Sequence, residues 1–282
     1  MHTATRTDRP AADGAYVRAR DLLREPGVVV LSGAGMSTDS GIPDYRGPGA
    51  PRRMPMHFSE FTSGPEAQQR YWARSHLGWQ RMSASRPNPG HDALAHMERQ
   101  GRVSAVITQN VDGLHQQAGS QVVVDLHGRI ADVVCLSCRG RSSRLALHHR
   151  LTELNPGFGV EAEVEIRPDG DVDLADVSGF RLAGCTGCGG PLKPDVVFFG
   201  ENVPKGRVER CYALVDRASA LLVSGSSLAV MSGLRFVRHA HRAGIPVVIL
   251  NRGPTRGDDL ATVKLDAGCS ATLQALSDEA GA

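Results

Sequence analysis

The sequence predicts an α/β fold: a parallel sheet covered by helices on both faces, with a smaller module inserted into it. Three observations predict it. Short apolar runs bounded by glycine, such as "GVVVLSG" (27–33) and "SALLVSGSS" (219–227), recur along the chain. A parallel strand buried on both faces reads as such a run. These runs alternate with helical patterns, as crossover connections require. From 129 to 195 the rhythm breaks, and that stretch holds two Cys-x-x-Cys pairs.

In chain order, residues 1–13 are polar and read as a disordered tail, with no apolar segment of the secretory kind. "GAYVRARDLLR" (14–24) reads as an amphipathic helix, and 27–33 as the first strand. Residues 65–85 carry aromatic and polar side chains at helical spacing. "PNPGHDALAHMERQG" (87–101) reads as a turn, a helix and a glycine stop. "VSAVITQN" (103–110) and "QVVVDLHG" (121–128) are further strands. After the break come strand 219–227, the helical "SGLRFVRHAHRAG" (232–244) and strand "IPVVILNRG" (245–253). The expected division is therefore a sheet domain from 14–128 and 196–282, with 129–195 as the inserted module. Residues 151–180 hold eight acidic side chains against one basic, Arg167, and are expected to form an acidic loop. "PDGDVDLAD" (168–176) reads as solvated loop, since Leu174 stands where a calcium loop starting at Asp169 needs glycine.

Composition narrows the function classes. Hydrophobic residues make up 41% and charged residues 22%, the profile of a globular protein. A net charge of +2 is too small to argue for a nucleic-acid or membrane-surface protein. No apolar run reaches the roughly 20 residues that span a bilayer. The expectation is a monomeric cytoplasmic protein that contacts neither nucleic acid nor membrane.

The polar motifs fall at strand ends, where open α/β sheets bind ligands. In "VLSGAGMSTDSGIPDYRG" (30–47), Gly33 and Gly35 permit a tight turn and let N–H groups approach a phosphate. A Rossmann-like site is indicated, but not a hydride-transfer fingerprint: Thr38 replaces the third glycine, and Arg53 stands near where an acidic residue is needed. "TQNVDGLH" (108–115) offers Asn110 and Asp112 for a ribose or an amide, or as helix caps. "DLHGR" (125–129) puts His127 where a base is useful. "VSGSSLAV" (223–230) and "ILNRG" (249–253), with Ser226, Ser227 and Asn251, suit the far half of a dinucleotide. The pairs Cys135/Cys138 and Cys185/Cys188 have the two-residue gap that lets both thiolates reach one tetrahedral ion. Four thiolates close the site, so a structural zinc is expected.

Taken in order, GAGMSTDSGIPDYRG, TQNVDGLH, LHG, the paired Cys-x-x-Cys motifs, KPDVVFFGE, GSSL and LNRG resemble the sirtuin family of NAD-dependent protein lysine deacylases. "RYWAR" (70–74), "PNPGH", "LNPGF" and "GPTRGDDLA" resemble its class II, sirtuin 4-like branch. The resemblance implies a Rossmann-like NAD domain with an inserted zinc-binding module. It implies that Gly33, Ala34, Gly35 and Ser37 hold the pyrophosphate, while Asp44, Tyr45 and Arg46 order the loop over the cofactor. Gln109, Asn110 and Val111 would meet the nicotinamide ribose, Asp112 the carboxamide, and His127, with Asn110, would be catalytic. Gly225, Ser226, Ser227, Asn251, Arg252, Gly253 and Cys269 would line the phosphate and adenosine side.

The implied partners are acylated protein lysines. Val197, Phe198, Phe199 and Gly200 would pair with the substrate backbone by strand addition. The implied reaction is attack of the acyl oxygen on C1′ of the ribose as nicotinamide leaves. His127 then draws a proton from the ribose hydroxyls, and water releases lysine and O-acyl-ADP-ribose. Mono-ADP-ribosyl transfer from the same site is the alternative. Tyr71 and Arg74 form a Tyr-x-x-Arg pair on one helix face, a spacing that holds acyl carboxylates in desuccinylase-type sirtuins. "AVMSG" after GSSL lacks the proline common in deacetylases. The pair lies thirteen residues before the PN turn (Arg74 to Pro87), so Arg74 also reads as a solvated or structural arginine, while the missing proline and the sirtuin 4-like strings point to longer or carboxylate-bearing acyl groups over acetyl.

Overall fold

A computed structural model describes residues 14–44, 55–159 and 177–279. The 1–13 tail, Tyr45, Arg46 and the loop at 168–176 lie outside the described residues. In chain order the elements are α1 (Gly14–Arg24), β1 (Val28–Ser32), α2 (Phe58–Phe61), α3 (Pro65–Ala84), α4 (Pro89–Arg99), β2 (Val103–Thr108), α5 (Leu114–Gln117) and β3 (Val123–Asp125). Then follow β4 (Gly128–Cys135), β5 (Arg141–Ser143), α6 (Arg144–Leu154), β6 (Leu192–Val196) and α7 (Lys205–Val215). The chain closes with β7 (Leu221–Ser224), α8 (Met231–Arg242), β8 (Val247–Leu250), β9 (Val263–Leu265) and α9 (Cys269–Asp278).

Six strands form one sheet in the order β3-β2-β1-β7-β8-β9, every pairing parallel. Leu31 of β1 pairs with Ile107 on one side and Val223 on the other. The chain runs outward from β1 through β2 and β3, then returns to build the other half from β7. Strand order therefore reverses between β1 and β7, the point at which open sheets leave a crevice.

The uniform apolar runs are explained by two cores. Val28 and Val30 point to one face and pack with Leu23, Leu94, Met97 and Leu273 of α1, α4 and α9. Val29 and Leu31 point to the other and pack with Val215, Phe236 and Val237 of α7 and α8. The period-two alternation feeds apolar groups to both sides, so β1 is buried throughout. α4 begins on Asn88, whose side chain accepts from Gly90 N–H and His91 N–H, with Pro89 at the first helical position. It ends before Gly101, at φ +76°, the expected glycine stop.

A second, antiparallel sheet has the order β5-β4-β6. Its core differs from the expected single insertion. Ile130, Val133, Leu147 and Phe180 pack with Phe61, Tyr71, Trp72 and Trp79, so α2 and α3 belong with the inserted module and not with the sheet domain's core. α3 buries an aromatic face that finds no room on the filled parallel sheet. Arg144 pins the two segments together. Fully buried, it lies 5.1 Å from the ring centroids of Trp72 and of Trp79, and its Nη2 donates to Ser75 O at 2.9 Å.

Candidate active site

The loops after β1, β2, β3 and β7 converge at the reversal point. Gly33 N–H donates to Ser224 O (3.0 Å) and Gly35 N–H to Gly225 O (2.8 Å). These two N–H groups are therefore spent on the neighbouring loop. The glycines serve close approach. A Cβ on Gly33 would come 2.7 Å from Ser226 Cβ, and one on Gly225 (φ +61°) would overlap Met36 N.

The loop after β2 carries a connected set of polar groups. Asn110 Nδ2 donates to Gly33 O and to Ser37 Oγ, each at 3.0 Å. Ser37 Oγ–H donates to Asp112 Oδ2 (2.7 Å), and Asp112 Oδ1 accepts Leu114 N–H (2.9 Å). Asp112 thus anchors α5 and ties the β2 loop to the β1 loop at once. Burial holds its carboxyl above the usual carboxylate range, against the pull of the Leu114 and Ser37 bonds. Gln109 Nε2 donates to Ser226 Oγ (2.8 Å) and Ser32 O (3.2 Å). Val111 O accepts Ile130 N–H (2.9 Å), which fastens this loop to the smaller unit. Beneath lies a buried polar layer that ties the ends of two of the motifs together: Ser32 Oγ bonds Thr108 Oγ1 (2.9 Å) and His115 Nε2 (2.8 Å).

His127 follows β3 directly. Its Nδ1 lies 2.9 Å from Gln109 O, and its Nε2 lies 2.9 Å from Ser232 Oγ. A carbonyl oxygen only accepts, so Nδ1 carries the hydrogen and Nε2 keeps the lone pair, accepting from the Ser232 hydroxyl. Burial holds the imidazole below its ordinary pKa, and Arg207 reinforces this against the Gln109 bond. The ring is held neutral, with its lone pair on Nε2. Ser232 was not singled out in the sequence; a polar residue opening the helix after the GSSL loop is the signal that could have found it. Gly128, at φ +83°, lets the chain pass behind His127, since a Cβ there would overlap Asp195 O.

The outer wall is the segment after β6. Val197 N–H donates to His127 O (2.7 Å), Phe198 N–H to Glu201 Oε2 (3.0 Å), and Phe199 O accepts Phe58 N–H (2.9 Å). Gly200 sits at φ +78° beside His57. Lys193, 3% exposed, ion-pairs with Glu201 at 2.9 Å and lies 4.7 Å from the Phe198 ring centroid. Tyr71 is buried, its ring 5.2 Å from that of Phe198 and 5.3 Å from that of Phe61. Arg74, on the same helix, is half-buried, and its Nε has no hydrogen-bond partner.

On the far side of β1, Asn251 Nδ2 donates to Arg252 O (2.7 Å), and Gly253 N–H to Asp266 Oδ1 (2.9 Å). Ser227 O accepts Arg256 N–H (3.0 Å). Cys269 is buried in the core with Met36, and burial pushes its thiol up to about 11. Ala34 opens the turn after Gly33, and Asp44 is half-buried at the limit of the described loop.

The four paired cysteines meet as expected. All four sulfurs lie within 4.8 Å of one another, with Cys135 and Cys188 at 3.5 Å and Cys138 and Cys185 at 3.8 Å. A Zn–S bond of about 2.3 Å in a tetrahedron separates the sulfurs by about 3.8 Å, so the donor set fits zinc. These spacings far exceed a disulfide bond of about 2.05 Å.

The comparisons agree with this geometry. The Sir2 family model matches residues 33–232. The chain is 55% identical to "NAD-dependent protein deacetylase 1" of Streptomyces coelicolor over 278 residues, covering 97% of this chain and 93% of the relative. It is 46% identical to "NAD-dependent protein deacylase Sirt4" of Drosophila melanogaster, over 96% of this chain and 89% of that one. A solved structure described as "Sir2-p53 peptide-NAD+" superposes with a TM-score of 0.75 at 33% identity, covering 94% of this chain and 98% of the other. With its parallel sheet, four-cysteine knuckle and strand-end motifs in place, the chain belongs to the Sir2 family.

Proposed function

We infer that the protein is an NAD-dependent protein lysine deacylase. The observation that carries this is the His127 geometry: a neutral imidazole whose tautomer is set by Gln109 O and whose lone-pair nitrogen faces Ser232. When bound, NAD supplies the ADP-ribosyl group that accepts the acyl chain, with nicotinamide leaving. In this reading Ala34, Ser37, Gly225, Ser226 and Ser227 line the phosphates beside Gly33 and Gly35. Asn251, Arg252, Gly253 and Cys269 line the adenosine side. Asp44, Tyr45 and Arg46 order the loop that covers the cofactor.

Asn110 has its amide nitrogen committed to Gly33 and Ser37, which leaves its carbonyl oxygen for a ribose hydroxyl. Gln109 and Val111 complete that wall, and Asp112 receives the carboxamide. His127 Nε2 takes the proton from the ribose hydroxyls, and a base with a near-neutral ordinary pKa suits that step. Residues 197–200 pair with the acylated peptide through the groups their present contacts leave. Tyr71 floors the acyl pocket, and Arg74, one helical turn on and half-buried, offers its guanidinium to a carboxylate-bearing acyl group. Cys135, Cys138, Cys185 and Cys188 hold zinc, which keeps the smaller unit folded and takes no part in the chemistry. The reading includes a monomeric enzyme in a cytoplasmic setting. No helix among the described residues is long and apolar enough to cross a membrane.

The test is a panel of acyl-lysine peptides incubated with NAD and read by mass spectrometry. Free lysine peptide with O-acyl-ADP-ribose is expected. ADP-ribosylated protein without acyl transfer would replace the deacylase reading with the mono-ADP-ribosyltransferase alternative.

A further inference from the structure

α8 starts at the base and leads away from it. Ser232 touches His127 Nε2, and its neighbour Met231, 43% exposed, opens a groove of about 470 Å3. Met231, Arg235, Arg238 and Arg242 recur at intervals of four, three and four residues, so they form one stripe along the helix. All four line the groove with His241, and Tyr212 of α7 closes its other side.

The arginines bond only neutral acceptors. Arg235 Nε donates to Met231 O (3.4 Å), Arg238 Nη1 contacts Met231 Sδ (3.8 Å), and Arg242 Nε donates to Arg238 O (3.3 Å). None of them pairs with a carboxylate among the described residues. Neighbouring acids are committed elsewhere, Asp216 to His239 and Asp258 to Lys264. Asp259 on the adjoining turn contributes an exposed carboxylate. At the catalytic end Arg256 Nη1 reaches Ala229 O (2.7 Å), so positive charge continues into the loop before α8.

We propose that this arginine stripe on α8 is a specificity surface for the substrate polypeptide, selecting acyl-lysines with acidic residues on one flank. The proposal rests on the deacylase reading, because the substrate it concerns is the acylated polypeptide of that reading. The groove begins at Met231, the chain neighbour of Ser232, and its charge is complementary to a carboxylate-bearing chain. Geometry gives the spacing. From Met231 the stripe reaches about 6 Å to Arg235 and about 16 Å to Arg242 at 1.5 Å per residue. An extended peptide covers that span in about two to five residues. Each exposed charge pair adds little, and salt screens it. The effect therefore falls on KM and fades as ionic strength rises.

The experiment uses matched acyl-lysine peptides with Glu or Gln at positions two to five on either side. They are assayed on the full chain and on the triple variant Arg235→Gln/Arg238→Gln/Arg242→Gln. The full chain should favour one acidic-flank peptide by about five- to tenfold in kcat/KM, mostly through KM. Most of that preference should vanish in 0.5 M NaCl and in the triple variant. The neutral peptide should turn over alike on both proteins, which reports on the deacylase reading separately. Affinity for fluorescent peptides with and without NAD, measured by anisotropy, tests the docking even if no peptide turns over. Equal values for acidic and neutral peptides in both assays would overturn the proposal. So would a preference that survives the triple variant. An oligonucleotide bound through the same arginines, with no peptide preference, would reassign the surface to nucleic acid.

Discussion

Nδ1 of His127 and the main-chain oxygen of Gln109 are 2.9 Å apart, and this bond decides which imidazole nitrogen keeps its lone pair. It also fixes the ring over Ser232. His127→Ala removes the base without opening either sheet core, so the variant should fold and bind NAD. Its deacylation should fall by at least the roughly 10²–10⁴-fold typical of a lost acid–base group. Because burial lowers the His127 pKa, the neutral form persists below pH 6.5, and kcat should decline only at more acidic pH. A pH–rate profile with its acidic limb above pH 6.5 would remove His127 from that role.

Zinc and the smaller unit stand or fall together. One tightly held zinc per chain is expected by atomic absorption. Cys185→Ala should lower metal content and destabilise into the range above about 4 kcal/mol that marks loss of a metal site. A fully active, metal-free preparation would refute this.

Gly225 holds the β7 loop against the β1 turn at positive φ, where an added Cβ meets Met36 N. The left-handed conformation alone costs a non-glycine residue about 1–3 kcal/mol. Gly225→Ala should lower Tm and raise the KM for NAD together. A variant with unchanged Tm would mean that the two loops are not in contact.

Acid should weaken the fold before it protonates most carboxylates. His91 is buried and its pKa is lowered to about 4, chiefly by desolvation. His76 and His148, 4.5 Å apart between ring centroids, are also lowered to about 4, again chiefly by desolvation. The unfolded chain takes up these protons below pH 6.5 while the native state does not, so stability is present above that pH and lost as it falls from about 6.5 to about 4. His91 alone accounts for roughly 3 kcal/mol of that loss. Denaturant midpoints that stay constant from pH 7 to pH 4.5 would contradict the sign.

The acyl group is tested at Arg74. Glutaryl- or methylglutaryl-lysine should be removed better than acetyl-lysine. Arg74→Met should depress that activity by about tenfold or more, the scale of a lost charge-assisted bond, with uncharged acyl substrates nearly unaffected. Equal loss on both substrate types would make Arg74 structural, and acetyl-lysine winning the panel would end the preference.

The sequence by itself determined the parallel sheet, the family and the four cysteines that cluster with a spacing that fits zinc. Each rests on local order. Val28–Ser32 must be buried on both faces whatever surrounds it, and Cys135/Cys138 close on one ion at any folding of the segment between the pairs. Helix α4 was legible for the same reason, through Asn88, Pro89 and Gly101. Tertiary structure alone decided the rest. Tyr71 and Trp72 could have faced either unit, and went to the smaller one because Arg144, 73 residues beyond Tyr71, lies between Trp72 and Trp79. The N–H groups of Gly33 and Gly35 donate to two carbonyl oxygens that β7 and its loop place against them. Ser232 meets His127 across 105 residues of chain. Pairings at such separations depend on which surfaces remain after the cores fill, and no local pattern encodes that.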